Sequence, residues 1–226
     1  MKLATFYADC ELPWKPAQKS AGFNWRQACR ALALSAVKSL GVGTDIVTDA
    51  ATVIQGASLR VGNAKADGVM LWLLDAQAAA IRASKGKLLM VSPDTLITGP
   101  LDCMFGDWDV CLLTRERPKA LINSVIAVQA SPAVAEFWEC VAQAARGYSP
   151  ESRAWGADVD ALIDAVQIKP SEDCTREVGG LRFRLMPAAG VFKSIDLTGR
   201  PQRYPQPIWD FKGQRKSRMP EYTALL

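Results

Sequence analysis

Short apolar runs alternate with longer segments of helical periodicity along the first hundred residues. Residues 3–7, 45–49 and 87–91 predict buried strands, and each run ends at or close to an acidic residue. Between them, residues 24–40 place apolar side chains at helical spacing and stop at Gly41, a residue typical of helix C-termini. Residues 65–83 are alanine-rich and predict a second helix. This alternation predicts a mainly parallel α/β sheet with helices on both faces.

The second half of the chain continues the same mixture of elements. Strands are predicted over residues 108–113, 124–129 and 181–186, and residues 208–211 open the basic C-terminal segment. A helix over residues 131–145 begins with a serine cap and has Pro132 at its first position, and a further helix covers residues 155–166. No repeat, low-complexity tract or clear linker divides residues 1–226, so we expect a single domain.

Acidic residues follow the first three predicted strands, at Asp9, Asp49 and Asp94. In open α/β sheets, ligands bind beyond the carboxyl ends of the strands. The carboxyl ends of parallel strands meet at one edge of the sheet. The pattern alone therefore predicts a binding site at that edge.

The sequence contains no histidine, and this absence excludes several kinds of catalytic site. Ser-His-Asp and Cys-His catalysis and histidine-based zinc hydrolysis are all ruled out. A general base or hard-metal ligand must then be Asp or Glu, and carboxylates favour Mg²⁺ or Mn²⁺ over zinc. The six cysteines are scattered without a CxxC pair, which indicates reduced thiols rather than a zinc or disulfide framework.

Length, composition and charge are those of an ordinary globular chain, with 226 residues, 49% hydrophobic and 22% charged. The N-terminus lacks a signal-peptide pattern, and no apolar run approaches the roughly 20 residues that span a bilayer, so we expect a cytoplasmic protein without a membrane span. The net charge is +4, with a basic cluster in residues 212–218. Such a cluster suits the phosphates of a nucleotide or a nucleic acid, and a solvated tail is the simpler alternative.

Three segments carry a more specific pattern. Residues 88–101 form an apolar strand and a strand-end acid, in the sequence LLMVSPDTLITGPL. Residues 155–162 open a predicted helix, in the sequence WGADVDAL. Residues 207–216 lie near the C-terminus, in the sequence PIWDFKGQRK. In this order the segments resemble the GT-A fold (Rossmann-like) nucleotide-sugar glycosyltransferases, in particular their glycogenin-like, retaining branch.

The resemblance implies a metal site formed by two of these segments. Asp94 matches the second acid of the family's Asp-x-Asp motif, and Ser92 stands where the first acid is expected. Asp210 takes the position of the family's metal-binding histidine. A divalent cation at such a site bridges the nucleotide diphosphate and neutralises the charge that grows on it as the sugar bond breaks. Mn²⁺ or Mg²⁺ held by Asp94 and Asp210 is the implied cofactor.

The C-terminal segment also implies binding to the diphosphate. Lys212, Gly213 and Lys216 are kept from the family's His-Phe-x-Gly-x-x-Lys motif. The glycine permits close backbone approach, and the lysines supply positive charge. Residues 207–226 are therefore expected to close the nucleotide site, with Trp209 close to the donor and Ser92 beside the diphosphate.

The middle segment implies the residues that meet the transferred sugar. Asp158 matches the acid of the family's Asp-Gln pair near the donor sugar and acceptor hydroxyl, and Val159 replaces the glutamine. Asn123 resembles the asparagine of a strand near the donor sugar. Trp155 lies beside this group. A helix-capping role for Asp158 is the simpler alternative, because a carboxylate is favoured at a helix N-terminus.

Weaker matches complete the implied donor site. Tyr7, Ala8 and Asp9 lie where these enzymes hold the nucleobase, and Asp49 lies where they hold the base or ribose. Lys65 matches a basic residue that meets phosphates. Taken singly, residues of these kinds are more often loop or cap residues than ligands.

The resemblance implies an enzyme that transfers a sugar from a nucleotide-diphosphate sugar, UDP-linked by preference, to a hydroxyl group. It also implies retention of the anomeric configuration, with the departing phosphate taking the acceptor proton. The acceptor stays open between a modified base in viral DNA and a polysaccharide or lipopolysaccharide. The aromatic residues near the basic cluster are compatible with nucleic acid.

Two other functions remain open from the sequence. Ser92, Val159 and Asp210 all depart from the family pattern, so a catalytically inactive nucleotide-sugar-binding protein of the same fold is the main alternative. A nucleotidyltransferase also uses an open α/β sheet with carboxylate-bound Mg²⁺. It usually carries a glycine-rich basic loop after the first strand, and residues 8–13 do not provide one.

Overall fold

The computed structural model describes residues 1–9, 23–64, 68–149 and 156–226. These residues form one eight-stranded sheet, in the order β3-β2-β1-β4-β7-β6-β9-β8, and a three-stranded sheet, in the order β10-β11-β5. The strands are β1 (Lys2–Tyr7), β2 (Thr44–Thr48), β3 (Ala57–Arg60), β4 (Gly86–Val91), β5 (Thr95–Ile97), β6 (Val110–Thr114), β7 (Leu121–Ala130), β8 (Cys174–Val178), β9 (Leu181–Pro187), β10 (Phe192–Ser194) and β11 (Ile208–Asp210).

The large sheet is parallel in its N-terminal half and mixed in its C-terminal half. Strands β3, β2, β1 and β4 run parallel to one another. Strand β7 is antiparallel to both of its neighbours, β4 and β6, whereas β6 and β9 are parallel and β8 is antiparallel to β9. The predicted α/β class is confirmed, and the antiparallel β7 is the feature that the strand and helix alternation did not indicate.

Helices cover both faces of the large sheet, as predicted. They are α1 (Trp25–Leu40), α2 (Val69–Arg82), α3 (Pro132–Arg146), α4 (Ala157–Val166) and the short α5 (Met219–Thr223). Alternate side chains of β4 enter different cores, because successive residues of a strand point to opposite faces. Leu88 and Met90 pack with α2, α3 and α4, whereas Leu89 and Val91 pack with Leu32 of α1.

Two helices begin and end as their local sequences predicted. The Asn24 side chain accepts a hydrogen bond from the Gln27 amide at 3.0 Å, and α1 ends at Gly41 in the left-handed region. The Ser131 hydroxyl caps α3 by accepting from the Val134 amide at 3.3 Å. These caps satisfy backbone groups that a helix end leaves without partners.

The three-stranded sheet brings the C-terminal segment to the carboxyl edge of the large sheet. Strand β11 is antiparallel to β5, which directly follows Asp94, and it places Asp210 opposite Thr95. A buried aromatic cluster of Trp209, Phe211 and Tyr222 fixes this segment against the rest of the fold. The sequence did not predict β3, β5, β8, β10 and β11. Four of these have three or four residues, and the edge strand β8 has no fully buried side chain.

The direction of β7 determines which residues share the carboxyl edge. Its register with β4 pairs Val91 with Val125, so Asn123 near the start of β7 lies beyond the carboxyl end of β4. Its register with β6 pairs Thr114 with Leu121, which brings the end of β6 to the same edge. Among the described helices, none is long and apolar enough to cross a membrane.

Candidate functional site

A cleft of about 610 Å³ lies at the carboxyl edge of the large sheet. Its walls come from the ends of β1, β4 and β6, the start of β7, helix α2, the first turn of α4 and the C-terminal segment. Most of the residues singled out from the sequence line it, namely Tyr7, Ala8, Asp9, Ser92, Asp94, Asn123, Asp158, Asp210 and Lys212. The edge predicted from the strand pattern is therefore where the cavity lies.

Two acids that line this cleft, Asp94 and Asp210, lie close to a buried lysine of the C-terminal segment. The Asp94 carboxylate lies 3.0 Å from the Lys216 ammonium, and both side chains are at least nine-tenths buried. The Lys216 ammonium also lies 4.0 Å from the centre of the Trp25 ring. Asp210 is buried and accepts a hydrogen bond from the Ser124 hydroxyl at 3.3 Å. The pairing of β11 with β5 produces this arrangement.

The Asp210 carboxyl is unfavourably placed for a negative charge. Burial raises its pKa to about 6, and the negative charge of Asp94 contributes in the same direction. Lys212 acts in the opposite direction but does not compensate fully. Two buried carboxylates thus lie close together, Asp94 in contact with Lys216 and Asp210 with a raised pKa.

Replacing Asp210 by Asn is expected to stabilise the protein at pH 8. The folded-state pKa of about 6 lies above the ordinary value of 3.8, so ionisation of Asp210 disfavours the folded state progressively as pH rises between these values. At about 1.36 kcal/mol per pKa unit, Asp210→Asn should increase the free energy of unfolding at pH 8 by up to about 3 kcal/mol. Urea denaturation in the presence of a chelator measures this change.

The pH dependence provides the control for this prediction. The gain should disappear near pH 4, where Asp210 is protonated in the folded state. The exposed Asp107→Asn variant should show no such pH-dependent gain. A gain of equal size at pH 4 and pH 8, or a loss of stability at pH 8, would contradict the predicted cost of ionising Asp210.

A hydrogen-bonded chain links Lys212, Asn123 and Asp158 along one wall of the cleft. The Lys212 ammonium donates to the Asn123 side-chain oxygen at 3.1 Å, and the Asn123 amide donates to one oxygen of Asp158. The other Asp158 oxygen is buried, and no described residue forms a hydrogen bond with it. Burial raises the pKa of Asp158, although Asn123 and Lys212 oppose that shift. A buried carboxylate with spare acceptor capacity in the lining of a cleft is suited to a polar group of a ligand.

Asp158 is placed by the turn that precedes α4. Gly156 adopts a φ of +98°, in the left-handed region that side chains disfavour, and α4 begins at the next residue. Asp158 therefore sits in the first turn of the helix, where the dipole favours a negative charge. The helix position is compatible with capping, but its side chain is directed to Asn123 and the cleft.

The opposite end of the cleft is formed by the end of β1. Asp9 accepts from the Arg26 guanidinium at 3.1 Å, and its backbone amide donates to the Thr52 hydroxyl at 2.6 Å. The Tyr7 hydroxyl lies 3.4 Å from the Asp9 carboxylate. Burial and the neighbouring Asp9 raise the pKa of Tyr7, so the phenol is neutral at physiological pH.

Among the described residues that the sequence placed at the site, four do not line the cleft, namely Asp49, Trp209, Gly213 and Lys216. Trp209 is buried in the aromatic cluster behind the cleft, and Gly213 begins a 3₁₀ helix with a φ of +66°. Lys216 reaches the site through its ion pair with Asp94. Lys65 falls outside the described residues, as does Trp155.

Asp49 is buried and organises its own loop. One carboxylate oxygen accepts from the Thr52 amide at 2.9 Å, and the other accepts from the Ala64 amide at 3.3 Å. It does not line the cleft. Its expected contact with base or ribose stays a prediction, and what the structure provides is a structural role in the loop that carries Thr52.

Replacing Asp49 by Ala is expected to lower the free energy of unfolding by about 2–3 kcal/mol. The substitution leaves two backbone N–H groups of a buried loop without their charged acceptor, and such losses are costly. Chemical denaturation measures the change, with Asp45→Ala as the control, because Asp45 is partly exposed and only weakly paired with Lys2 at 3.9 Å. Equal effects of the two variants would contradict the structural role of Asp49.

The basic C-terminal segment is not a solvated tail. The Arg218 guanidinium donates to the backbone oxygens of Asp196 and Gly199 at 3.1 and 2.7 Å, and it pairs with Glu221. Lys216 is buried against Asp94. Two of the four cations in residues 212–218 are therefore engaged inside the fold, while Lys212 and Arg215 line the cleft.

The cleft contains residues that the sequence reasoning missed. Trp25 at the start of α1, Arg115 after β6, Lys119 and Arg215 all contribute to its lining. Arg115 is the one with a usable sequence signal, because it follows the predicted strand at 108–113 as the acids follow theirs. Recognising it required knowing that β6 ends at the same edge as β1 and β4.

Comparison with solved structures shows the fold of glycosyltransferases. A glycosyltransferase involved in the glycosylation of the major capsid of PBCV-1 matches with a TM-score of 0.60 and 10% identity, over the full length of both chains. An active-site mutant of LgtC matches with a TM-score of 0.54 and 10% identity, covering 100% of this chain and 96% of that one. GlyE of Streptococcus pneumoniae TIGR4 matches with a TM-score of 0.50 and 12% identity, over 76% of this chain and 45% of that one.

These similarities confirm the predicted GT-A fold, and at 10–12% identity they establish the fold alone. No protein-family model matches the sequence. No curated protein matches it either.

Proposed function

We propose that this protein transfers a sugar from a nucleotide-diphosphate sugar, UDP-linked by preference, to a hydroxyl group. The observation that carries the proposal is that Asp94 and Asp210 lie close together in the lining of one cleft, with the Lys216 ammonium paired to Asp94 behind it. They come from the two segments that resemble the metal and diphosphate motifs of glycosyltransferases. The shared fold supports this interpretation, because ligands of such sheets bind at the edge where the cleft lies.

The proposed donor extends along the cleft from β1 towards α4. Tyr7, Ala8 and Asp9 would contact the nucleobase, and Lys212 and Lys216 would neutralise the diphosphate. The Lys216 ammonium is paired with the Asp94 carboxylate, so it would lie close to a phosphate bound beside Asp94. The sugar would then reach Asp158, whose unpaired oxygen can accept a hydrogen bond from a sugar hydroxyl.

The carboxylate pair fits a divalent cation. Two buried acids lie close together there, and carboxylate oxygens are the ligands that Mg²⁺ and Mn²⁺ prefer. No cluster of three or more His, Cys, Asp or Glu occurs among the described residues. Asp94 and Asp210 would therefore hold the ion together with donor phosphates and water, an arrangement common for Mg²⁺. When bound, the ion would stabilise the charge on the departing diphosphate.

The side chains themselves would supply orientation and charge. Asn123 fixes Asp158 through a hydrogen bond and is fixed in turn by Lys212, so these three groups present a set geometry to the sugar. Holding the donor sugar in a defined orientation lowers the barrier by removing motional freedom before reaction. With no histidine in the chain, the acceptor proton would pass to the departing phosphate, as the resemblance implies.

A catalytically inactive nucleotide-sugar-binding protein is the alternative that specific observations favour. Asp94 is already paired with Lys216, and the apolar Val159 lines the cleft where the resembling enzymes carry a glutamine. Such a protein would bind the donor without breaking its sugar bond. The two functions differ in turnover, and turnover can be measured without knowing the acceptor.

Slow release of UDP from UDP-hexoses, without added acceptor, tests the proposal. We expect MnCl₂-dependent release by the native chain and a loss of at least about tenfold in Asp94→Asn, since each lost metal ligand weakens charge stabilisation. Asp107→Asn is the matched control, because its side chain is 91% exposed. Binding of UDP-hexoses without any release would favour the inactive binding protein. Failure to bind any of them would overturn the proposal.

A further inference from the structure

The cleft has a basic residue beyond the sugar end of the proposed donor. Along the edge of the large sheet, the order of strands places Tyr7 at the end of β1, Asp94 after β4, Asn123 near the start of β7 and Arg115 after β6. Neighbouring strands lie about 4.8 Å apart, so the backbone of Arg115 is roughly 10 Å past that of the Asp94 segment. Arg115 thus lies on the side away from the proposed nucleobase.

Arg115 is held firmly while its terminal nitrogens remain available. Its backbone amide donates to the Ala120 oxygen at 2.9 Å, and its backbone oxygen accepts from the Ser171 amide at 3.2 Å. The guanidinium Nε donates to the Lys119 backbone oxygen at 3.1 Å. Within the described part of the chain, no residue accepts a hydrogen bond from either terminal nitrogen of Arg115. One hydrogen bond, from Nε, therefore orients the guanidinium, and its two terminal nitrogens have no acceptor among the described residues.

The neighbouring cation, Lys119, differs from Arg115 because its ammonium already has protein partners. Lys119 binds the Asp160 carboxylate at 2.6 Å and lies 3.4 Å from the Gly156 backbone oxygen. Burial lowers the pKa of Arg115, and the negative charge of Asp210 opposes that shift. A partly desolvated guanidinium with two unused terminal nitrogens matches a phosphate or carboxylate, which it can bind through two parallel hydrogen bonds.

We infer that Arg115 binds an anionic group, a phosphate or a carboxylate, on the acceptor substrate. This inference rests on the proposed function, because the direction of the donor defines which side of the cleft the acceptor enters. The donor diphosphate has its own cations in Lys212 and Lys216, which lie on the C-terminal segment. Arg115 then selects charged acceptors over neutral ones. A structural role, in which Arg115 only balances Asp210, would affect charged and neutral acceptors alike.

The test compares three simple sugars that differ in charge, namely glucose, glucose 6-phosphate and glucuronate. Their binding to the UDP- and MnCl₂-saturated protein is measured by calorimetry, so that the diphosphate position is already filled. The native chain should bind at least one charged sugar about 10- to 100-fold more tightly than glucose, as expected for a charge-assisted hydrogen-bonded pair. Arg115→Gln should reduce that ratio to about one, and Arg115→Lys should retain part of it.

The control variant is Arg117→Gln. It also removes one arginine charge, two residues along the chain from Arg115, but the Arg117 side chain is exposed and does not line the cleft. It should keep the native ratio. A ratio of one in the native chain, or a preference that persists in Arg115→Gln, would overturn the inference. A preference seen only without UDP, and lost when UDP binds, would also overturn it, because the anion would then occupy the diphosphate position.

Failure of the proposed function has a separate signature. The titration of the protein with UDP comes first. If UDP does not bind at all, the proposed donor site is wrong. The three sugars are then titrated into the protein without nucleotide. A charge preference that depends on Arg115 would still support an anion site at this residue, and its absence would overturn that site too.

Discussion

Replacing Asp94 and Asp210 together by Asn is expected to reduce sugar transfer by at least about 1,000-fold. The double variant keeps the size of both side chains but removes both negative charges from the floor of the cleft. A metal-stabilised leaving group contributes several kcal/mol to catalysis, and about 4 kcal/mol corresponds to three powers of ten in rate. UDP release from a UDP-hexose, measured across a range of MnCl₂ concentrations, gives the rate.

The single variants make this result specific. Asp210→Asn should lose activity while gaining stability at pH 8, so a loss of folding cannot explain its effect. Asp107→Asn should retain native activity, because its carboxylate is exposed to solvent outside the cleft. A double variant that keeps more than about a tenth of the native rate and the native MnCl₂ dependence would show that these two acids do not hold a catalytic cation.

Replacing Asp158 by Asn is expected to lower kcat by about 100-fold or more, with a smaller effect on donor binding. The variant would replace a buried carboxylate in the lining of the cleft by an amide of the same size. Loss of one well-placed electrostatic group at a reacting centre commonly costs 100- to 1,000-fold in kcat. Steady-state rates of UDP release, together with calorimetric titration of UDP, separate the effect on turnover from the effect on nucleotide affinity.

Asn123 provides the companion variant for Asp158. Because Asn123 donates to Asp158 and accepts from Lys212, the two residues should act as a unit. The effects of Asn123→Ala and Asp158→Asn should therefore be clearly less than additive in the double variant. Additive effects, or a native rate in Asp158→Asn, would show that the chain Lys212–Asn123–Asp158 does not orient the sugar.

Features of the fold that depend on local sequence were predictable. Asn24 and Gly41 bound α1, and Ser131 with Pro132 begins α3, because caps are determined by a few neighbouring residues. The antiparallel β7 was not predictable in this way. Its direction depends on long-range pairing with both β4 and β6, which leaves no local mark in the sequence.

The candidate site was predictable to the extent that strand ends define it. Asp9 and Asp94 follow parallel strands and line the cleft, as the pattern indicated. Asp49 follows a strand too, but its short side chain accepts hydrogen bonds from its own loop, a common use of aspartate that spacing does not distinguish. Arg115 was missed because its place beside the cleft depends on the β6 and β7 pairing.

The C-terminal basic segment shows why charge alone was ambiguous. Residues 212–218 contain four cations, and their count suits a nucleotide, a nucleic acid or a solvated tail equally well. The fold buries Lys216 against Asp94 and Arg218 against backbone oxygens. Tertiary packing, which is invisible in composition, thus determines which of these charges are available to a ligand.

Thermal unfolding with UDP, GDP, CMP and UDP-hexoses, each with and without MnCl₂, tests the central claim most directly. Ligand at about one hundred times its dissociation constant adds roughly 2.7 kcal/mol to the stability of a protein that binds it only when folded. We expect UDP and at least one UDP-hexose to raise the unfolding temperature, more strongly with MnCl₂. The MnCl₂-dependent part should vanish in the Asp94→Asn, Asp210→Asn double variant. An unfolding temperature that no nucleotide changes would contradict a nucleotide-sugar site in this cleft.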